Sequence, residues 1–107
     1  MTTTTPPRFV KAPPKLDTIL TETAEAYGIT LEDLTGPSKR DRELKPRAVA
    51  IWLASELGHA EPDMAAAVNQ SLMAPIRYRC KVEDLRRTDP ETRDRSDQLL
   101  AFLKESR

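Results

Sequence analysis

One cysteine, one histidine and three glycines in 107 residues leave little material for several kinds of chemistry. A lone thiol, Cys80, closes no internal disulfide, and nothing beside it has metal-ligand spacing, so it reads as an inert thiol. His59 stands alone next to Gly58 in a turn, without a partner nucleophile or carboxylate. The three glycines do not form the G-x-x-x-x-G-K-[ST] loop that cradles a nucleotide phosphate. No apolar run approaches the ~20 residues that a membrane span needs. The opening MTTTTPPRF has neither the charged start nor the apolar block of a secretory leader, so the sequence points to a cytoplasmic protein. A chain of this length has room for one modest core and not for a large buried active site. The sequence predicts a binding protein rather than an enzyme, with no cofactor, no metal, no small-molecule substrate and no membrane partner.

Net charge is also missing: 17 basic and 17 acidic side chains sum to zero. Their order is uneven, however. From Asp17 to Leu34 there are acids (Asp17, Glu22, Glu25, Glu32, Asp33) and no base. From Lys39 to Arg47 the bases Lys39, Arg40, Arg42, Lys45 and Arg47 face only Asp41 and Glu43, and from Arg77 to Arg87 the bases again outnumber Glu83 and Asp84. Charge segregated along a chain can be assembled by folding into one basic face.

Residues 1–14 carry a threonine run and four prolines, with Phe9 and Val10 as the large apolar groups, and read as a disordered arm. Residues 15–107 read as one all-α domain of about five to six helices. Ile19, Leu20, Thr23, Ala24 and Tyr27 recur at helical spacing, and Gly28 followed by Ile29 reads as a left-handed stop. Thr30 caps a one-turn helix over Leu31 to Leu34, with Asp33 as its capping-box partner, before Gly36 and Pro37 break the chain. A basic loop from Ser38 to Arg42 leads into a helix from Leu44 to Leu57. Pro46 then falls in the first turn, where its missing N–H costs nothing. Val49, Ala50, Leu53, Ala54 and Leu57 form the buried stripe, with Trp52 at its edge.

Glu61 with Pro62 opens a short helix to Val68. The polar break Asn69, Gln70, Ser71 has the length found between two crossing helices, and Ser71 caps a helix running to about Arg86. On that helix Pro75, Tyr78, Val82 and Leu85 share the core side, while Met73, Arg77 and Lys81, spaced by four, share an outward one. Asp89 and Pro90 start a last helix to about Lys104, polar at first, which docks through Leu99, Leu100, Phe102 and Leu103. An arm of about fourteen residues and an abrupt helical end suit a domain excised from a longer protein.

The motifs come in a telling order: Tyr27 with I-T-L-E-D-L from Ile29 to Leu34, S-K-R from Ser38 to Arg40, K-P-R from Lys45 to Arg47, S-E-L from Ser55 to Leu57, and E-P-D-M from Glu61 to Met64. From Leu16 to Leu85 this resembles the C-terminal DNA-binding domain of the bacterial replication initiator DnaA, a helix-turn-helix fold of the TrpR-like kind. That family reads I-x-x-x-D-L, a basic S-K-R run, R-P-R, E-L and L-P-E-I in the same order. Its signature turn, usually G-G-R-D-H-T-T-V, is replaced here by V-N-Q-S-L-M-A-P over Val68 to Pro75. The histidine and both threonines that meet base edges in the family are absent, which implies a different target sequence.

The resemblance implies that Lys39, Arg40 and Arg42 supply a side chain to a minor groove, a contact that reads groove width more than base identity. Met73 and Ala74 would touch thymine methyls in the major groove, and Asn69, Gln70 and Ser71 would lie at the reading turn. Arg47 would meet phosphate, as would Arg77 and Lys81 in part, and Lys45 is counted with them among the DNA-binding residues. The initiator's ATPase module is not in this chain. The expected function is therefore sequence-specific binding of double-stranded DNA by a bacterial or phage-like transcription regulator, an activator, without its own ATPase. RNA polymerase or another regulatory protein is the expected second partner. Two alternatives stand beside it: a protein-interaction adaptor using Leu72, Met73 and Ile76 as an apolar patch, and a replication-origin-binding accessory factor.

Overall fold

Helix α1 spans Leu16–Tyr27 and stops where the sequence places a glycine in the left-handed region, Gly28 at φ 70°. There the N–H of Gly28 donates to the carbonyl of Glu25, and that of Ile29 to the carbonyl of Ala24, at 3.1 and 3.0 Å. This paired closure satisfies two of the carbonyls that a helix end leaves open. The computed structural model of the chain describes residues 15–36, 41–68 and 73–105. The expectation for residues 1–14 lies outside them. The remaining elements are α2 (Leu31–Thr35), α3 (Asp41–Glu56), α4 (Glu61–Ala67), α5 (Ala74–Thr88) and α6 (Pro90–Glu105). Among the described residues the protein is thus an all-α domain of six helices, with no strand.

Two boundaries differ from the sequence expectation. α3 begins at Asp41 rather than Leu44, so Arg42 belongs to its first turn and not to a loop, and Pro46 sits inside the helix. Pro46 there has no N–H to give to the carbonyl four residues before it. α5 begins at Ala74, with Met73 as its N-cap and Pro75 in the first turn. The expected Ser71 cap lies outside the described residues. The Thr30 cap is as expected: its Oγ accepts from the N–H of Asp33 at 3.0 Å.

α3 packs against each of the other five helices. Every residue from Pro46 to Ala54 is buried, so the expected one-sided stripe is in fact a helix enclosed all round, Trp52 included at 5 % exposure. Small alanines at 48, 50 and 54 let neighbours approach closely, while Val49, Ile51 and Leu53 fill the space between them. A fully buried side chain such as Leu53 contributes about 1.5–3 kcal/mol through the water it no longer meets.

α6 also departs from expectation. It docks over most of its length, through Thr92, Ser96, Leu99 and Leu103, rather than through its last turns alone. Thr92 and Ser96 enter the core side because their hydroxyls find partners: Thr92 donates to Asp89 at 2.7 Å and Ser96 to the carbonyl of Arg93 at 3.0 Å. Phe102, expected among the docking residues, is half exposed.

Candidate nucleic-acid interface

α5 follows α4 across the 69–72 connection and packs on both α4 and α3. Its inner side is Pro75 and Val82, buried, with Tyr78 packed against the core. Its outer side presents Met73, Ile76, Arg77, Cys80 and Lys81, all exposed. This is the division that a 3.6-residue period demands of the sequence.

The structure sorts the bases by what they already hold. Arg79 pairs with Glu61 of α4 at 3.0 Å, fastening the two helices of the turn together. Arg86 lies over the Trp52 ring at 4.6 Å and donates to Ser96 and to Asp97, at 2.6 and 2.7 Å. Arg87 pairs with Asp84 on the outer surface. Arg93 and Arg95 pair along α6 with Asp94 and Glu91. Arg77 and Lys81 make no ion pair among the described residues. The outer row of α5 is therefore basic and unspent over its first two turns, and balanced by Asp84 beyond them.

Two expected contact residues are placed elsewhere. Arg47 is completely buried, its Nε donating to the carbonyl of Leu34 at 2.6 Å and its Nη2 to the carbonyl of Asp33 at 3.2 Å. It closes the end of α2 onto α3 and offers nothing to a phosphate. Sequence reasoning went wrong here because K-P-R reads as the exposed opening of a helix, whereas α3 begins a turn earlier. Ala74 is 8 % exposed, so its methyl faces the protein and does not reach a thymine. Lys45 is about one-third exposed and pairs with Asp89 at 3.0 Å. Lys39, Arg40, Asn69, Gln70 and Ser71 lie outside the described residues, and Arg42 falls in the first turn of α3.

Lys45, early in α3, pairs with Asp89 just past the end of α5. The start of α3, where the basic segment ends, thus lies at the far end of α5 from Met73. Asp89 is the hub of this corner: it accepts from Thr92 and Lys45 and from the backbone N–H of Glu91, at 2.7, 3.0 and 3.2 Å. The Thr92 hydroxyl and then the Lys45 ammonium hold its carboxyl below the usual value of 3.8.

A cavity of about 370 Å3 opens beside this corner, between Tyr27, Lys45, Pro46, Thr92 and Arg95. The Arg95 guanidinium lies over the Tyr27 ring at 4.8 Å, and burial keeps the Tyr27 phenol above its ordinary pKa of 10.0, hence protonated and no base. Among the described residues no three of His, Cys, Asp or Glu gather as metal ligands, and no helix is long and apolar enough to cross a membrane. What the surface offers chemically is an apolar tip followed by two unpaired cations on one helix, which suits a polyanion with an apolar edge. No family model matches the chain.

Proposed function

We propose that the protein binds double-stranded DNA, with the first turns of α5 in the major groove and the basic segment Lys39 to Arg42, which runs into the first turn of α3, at the adjacent minor groove. The observation that carries this reading is the outer row of α5, where Met73, Arg77 and Lys81 stand exposed together and both cations lack a carboxylate partner among the described residues. A second helix after a short connection, held to the first by Arg79–Glu61, is the arrangement that enters a major groove by its N-terminal end.

Without the family's histidine and threonines, base reading rests on Met73 against a thymine methyl and on Asn69 and Gln70 for an adenine edge. The role that suits such a reader is transcription regulation, as an activator of bacterial or phage-like genes. Selection of bound duplexes from a random library at two salt concentrations tests the reading. Enrichment of one motif is expected, with log affinity falling against log salt by about 0.9 per neutralised phosphate. Salt-independent binding, or no enrichment, overturns it.

One observation favours a second reading. Met73 and Ile76 are 57 % and 41 % exposed side by side, an apolar tip that also suits a protein partner. Replacing Arg40 and Arg42 by alanine separates the two, because DNA binding would be strongly reduced and adaptor function left intact.

A further inference from the structure

We propose that the groove between α1 and α6 is the docking site of this chain's own segment Arg8-Phe9-Val10-Lys11. The groove is about 460 Å3, has Leu99 and Phe102 as its apolar side and Glu22 and Glu25 as its acidic side. Leu99 belongs to the core surface and Phe102 is half exposed beside it, so the groove has an apolar floor that a single large side chain can cover. Neither Glu22 nor Glu25 makes an ion pair among the described residues. Arg95, at the other end, is already held by Glu91 at 3.5 Å and by the Tyr27 ring. The groove therefore asks for an apolar side chain flanked by cations.

Residues 8–11 have that composition: Phe9 and Val10 between Arg8 and Lys11, in a stretch from Thr2 to Pro14 that otherwise holds threonine, proline and alanine. Reach also agrees. From Phe9 to Leu16 an extended chain spans at most about 23 Å. Glu22 and Glu25 lie only about 9 and 14 Å along α1 from Leu16. The connection is short enough to give the segment a high effective concentration at the groove. Docked there, Phe9 covers Phe102 and Leu99, while Arg8 and Lys11 meet Glu22 and Glu25. The inference stands apart from the DNA reading, since the groove lies on α1 and α6 and uses no residue of α5.

The test is amide and side-chain NMR on the full chain, with Phe9→Ser and the pair Glu22→Gln, Glu25→Gln as variants. Glu22 and Glu25 lie outside the buried core, so the glutamine pair retains the fold, and unchanged helical circular dichroism checks this for each variant. Cross-relaxation between the Phe9 ring and Phe102 or Leu99 is expected. Phe9→Ser shifts the amides of 22–26 and 98–102, and the glutamine pair shifts those of 8–11; the wild-type contact weakens as salt is raised. Random-coil shifts at residues 8–11, or groove resonances that ignore Phe9→Ser, overturn the proposal. A contact that appears only at high protein concentration also overturns it, because the segment would then belong to a second copy.

Discussion

The Arg47 guanidinium donates to the carbonyl of Leu34 at 2.6 Å, so a fully buried cation closes the end of α2 onto the central helix. A charge taken out of water is tolerated only while its donors are used, and the carbonyls of Asp33 and Leu34 use them. Replacing Arg47 by Met leaves those carbonyls short of a donor, and the expected cost is about 2–4 kcal/mol. Lysine does not restore it, since one ammonium on a flexible stem lacks the planar fork that spans two carbonyls. Urea unfolding checks this, with the midpoint falling and the slope unchanged. A variant of wild-type stability that has lost only DNA affinity would return Arg47 to the phosphate-contact role.

The Arg77→Ala, Lys81→Ala pair removes the unspent cations of α5 without touching the core. Helical circular dichroism should stay the same. Binding to the selected duplex weakens, and the slope of log affinity against log salt becomes shallower by about 1.8, at roughly 0.9 per phosphate contact. The same pair made at Arg79 and Arg87, which hold Glu61 and Asp84, changes the slope much less.

Asp89 gives the stability of the helix corner a pH dependence of known sign. Its carboxyl is held below the usual 3.8 in the folded state, first by Thr92 and then by Lys45. A depressed folded pKa stabilises the protein above the unfolded value and loses that contribution as pH falls through the folded one. Thermal melts should therefore drop below about pH 4, and Asp89→Asn should lower the melting temperature at pH 7 while flattening this acid limb. A variant that keeps the wild-type acid limb would show that other carboxylates carry it.

Arg86 over Trp52 links α5, α3 and α6 in one contact, since the same guanidinium reaches Ser96 and Asp97. Arg86→Met costs about 1–2 kcal/mol. A double-mutant cycle with Trp52→Leu isolates a coupling of about 1 kcal/mol for the stacked pair. Strictly additive effects would mean that the stacking contributes nothing.

Much of the fold is legible in the sequence because its signals are local. Gly28 and Gly58, at φ 70° and 95°, end helices where the glycines stand. Thr30 caps where a cap is needed, and the period of Pro75, Tyr78 and Val82 against Met73, Arg77 and Lys81 separates core from surface on α5. The departures are non-local. Nothing in K-P-R says that α3 starts a turn before it, and nothing in the polar run from Thr92 to Ser96 says that its hydroxyls face inward. The first depends on what α2 presents to Arg47, and the second in part on the Arg86 guanidinium, which reaches Ser96 from α5.

The basic segments themselves show the same division. Composition and order determine that cations cluster at 39–47 and 77–87, and helical period determines that Arg77 and Lys81 share a side with Met73. Only the tertiary structure decides which cations are spent. Arg47 goes to the carbonyls of α2, Lys45 to Asp89, Arg79 to Glu61 and Arg86 to Trp52, Ser96 and Asp97. The reason is physical: a charge's value to a partner depends on the opposite charges and acceptors within a few ångströms, and those distances are set by how helices far apart in sequence pack.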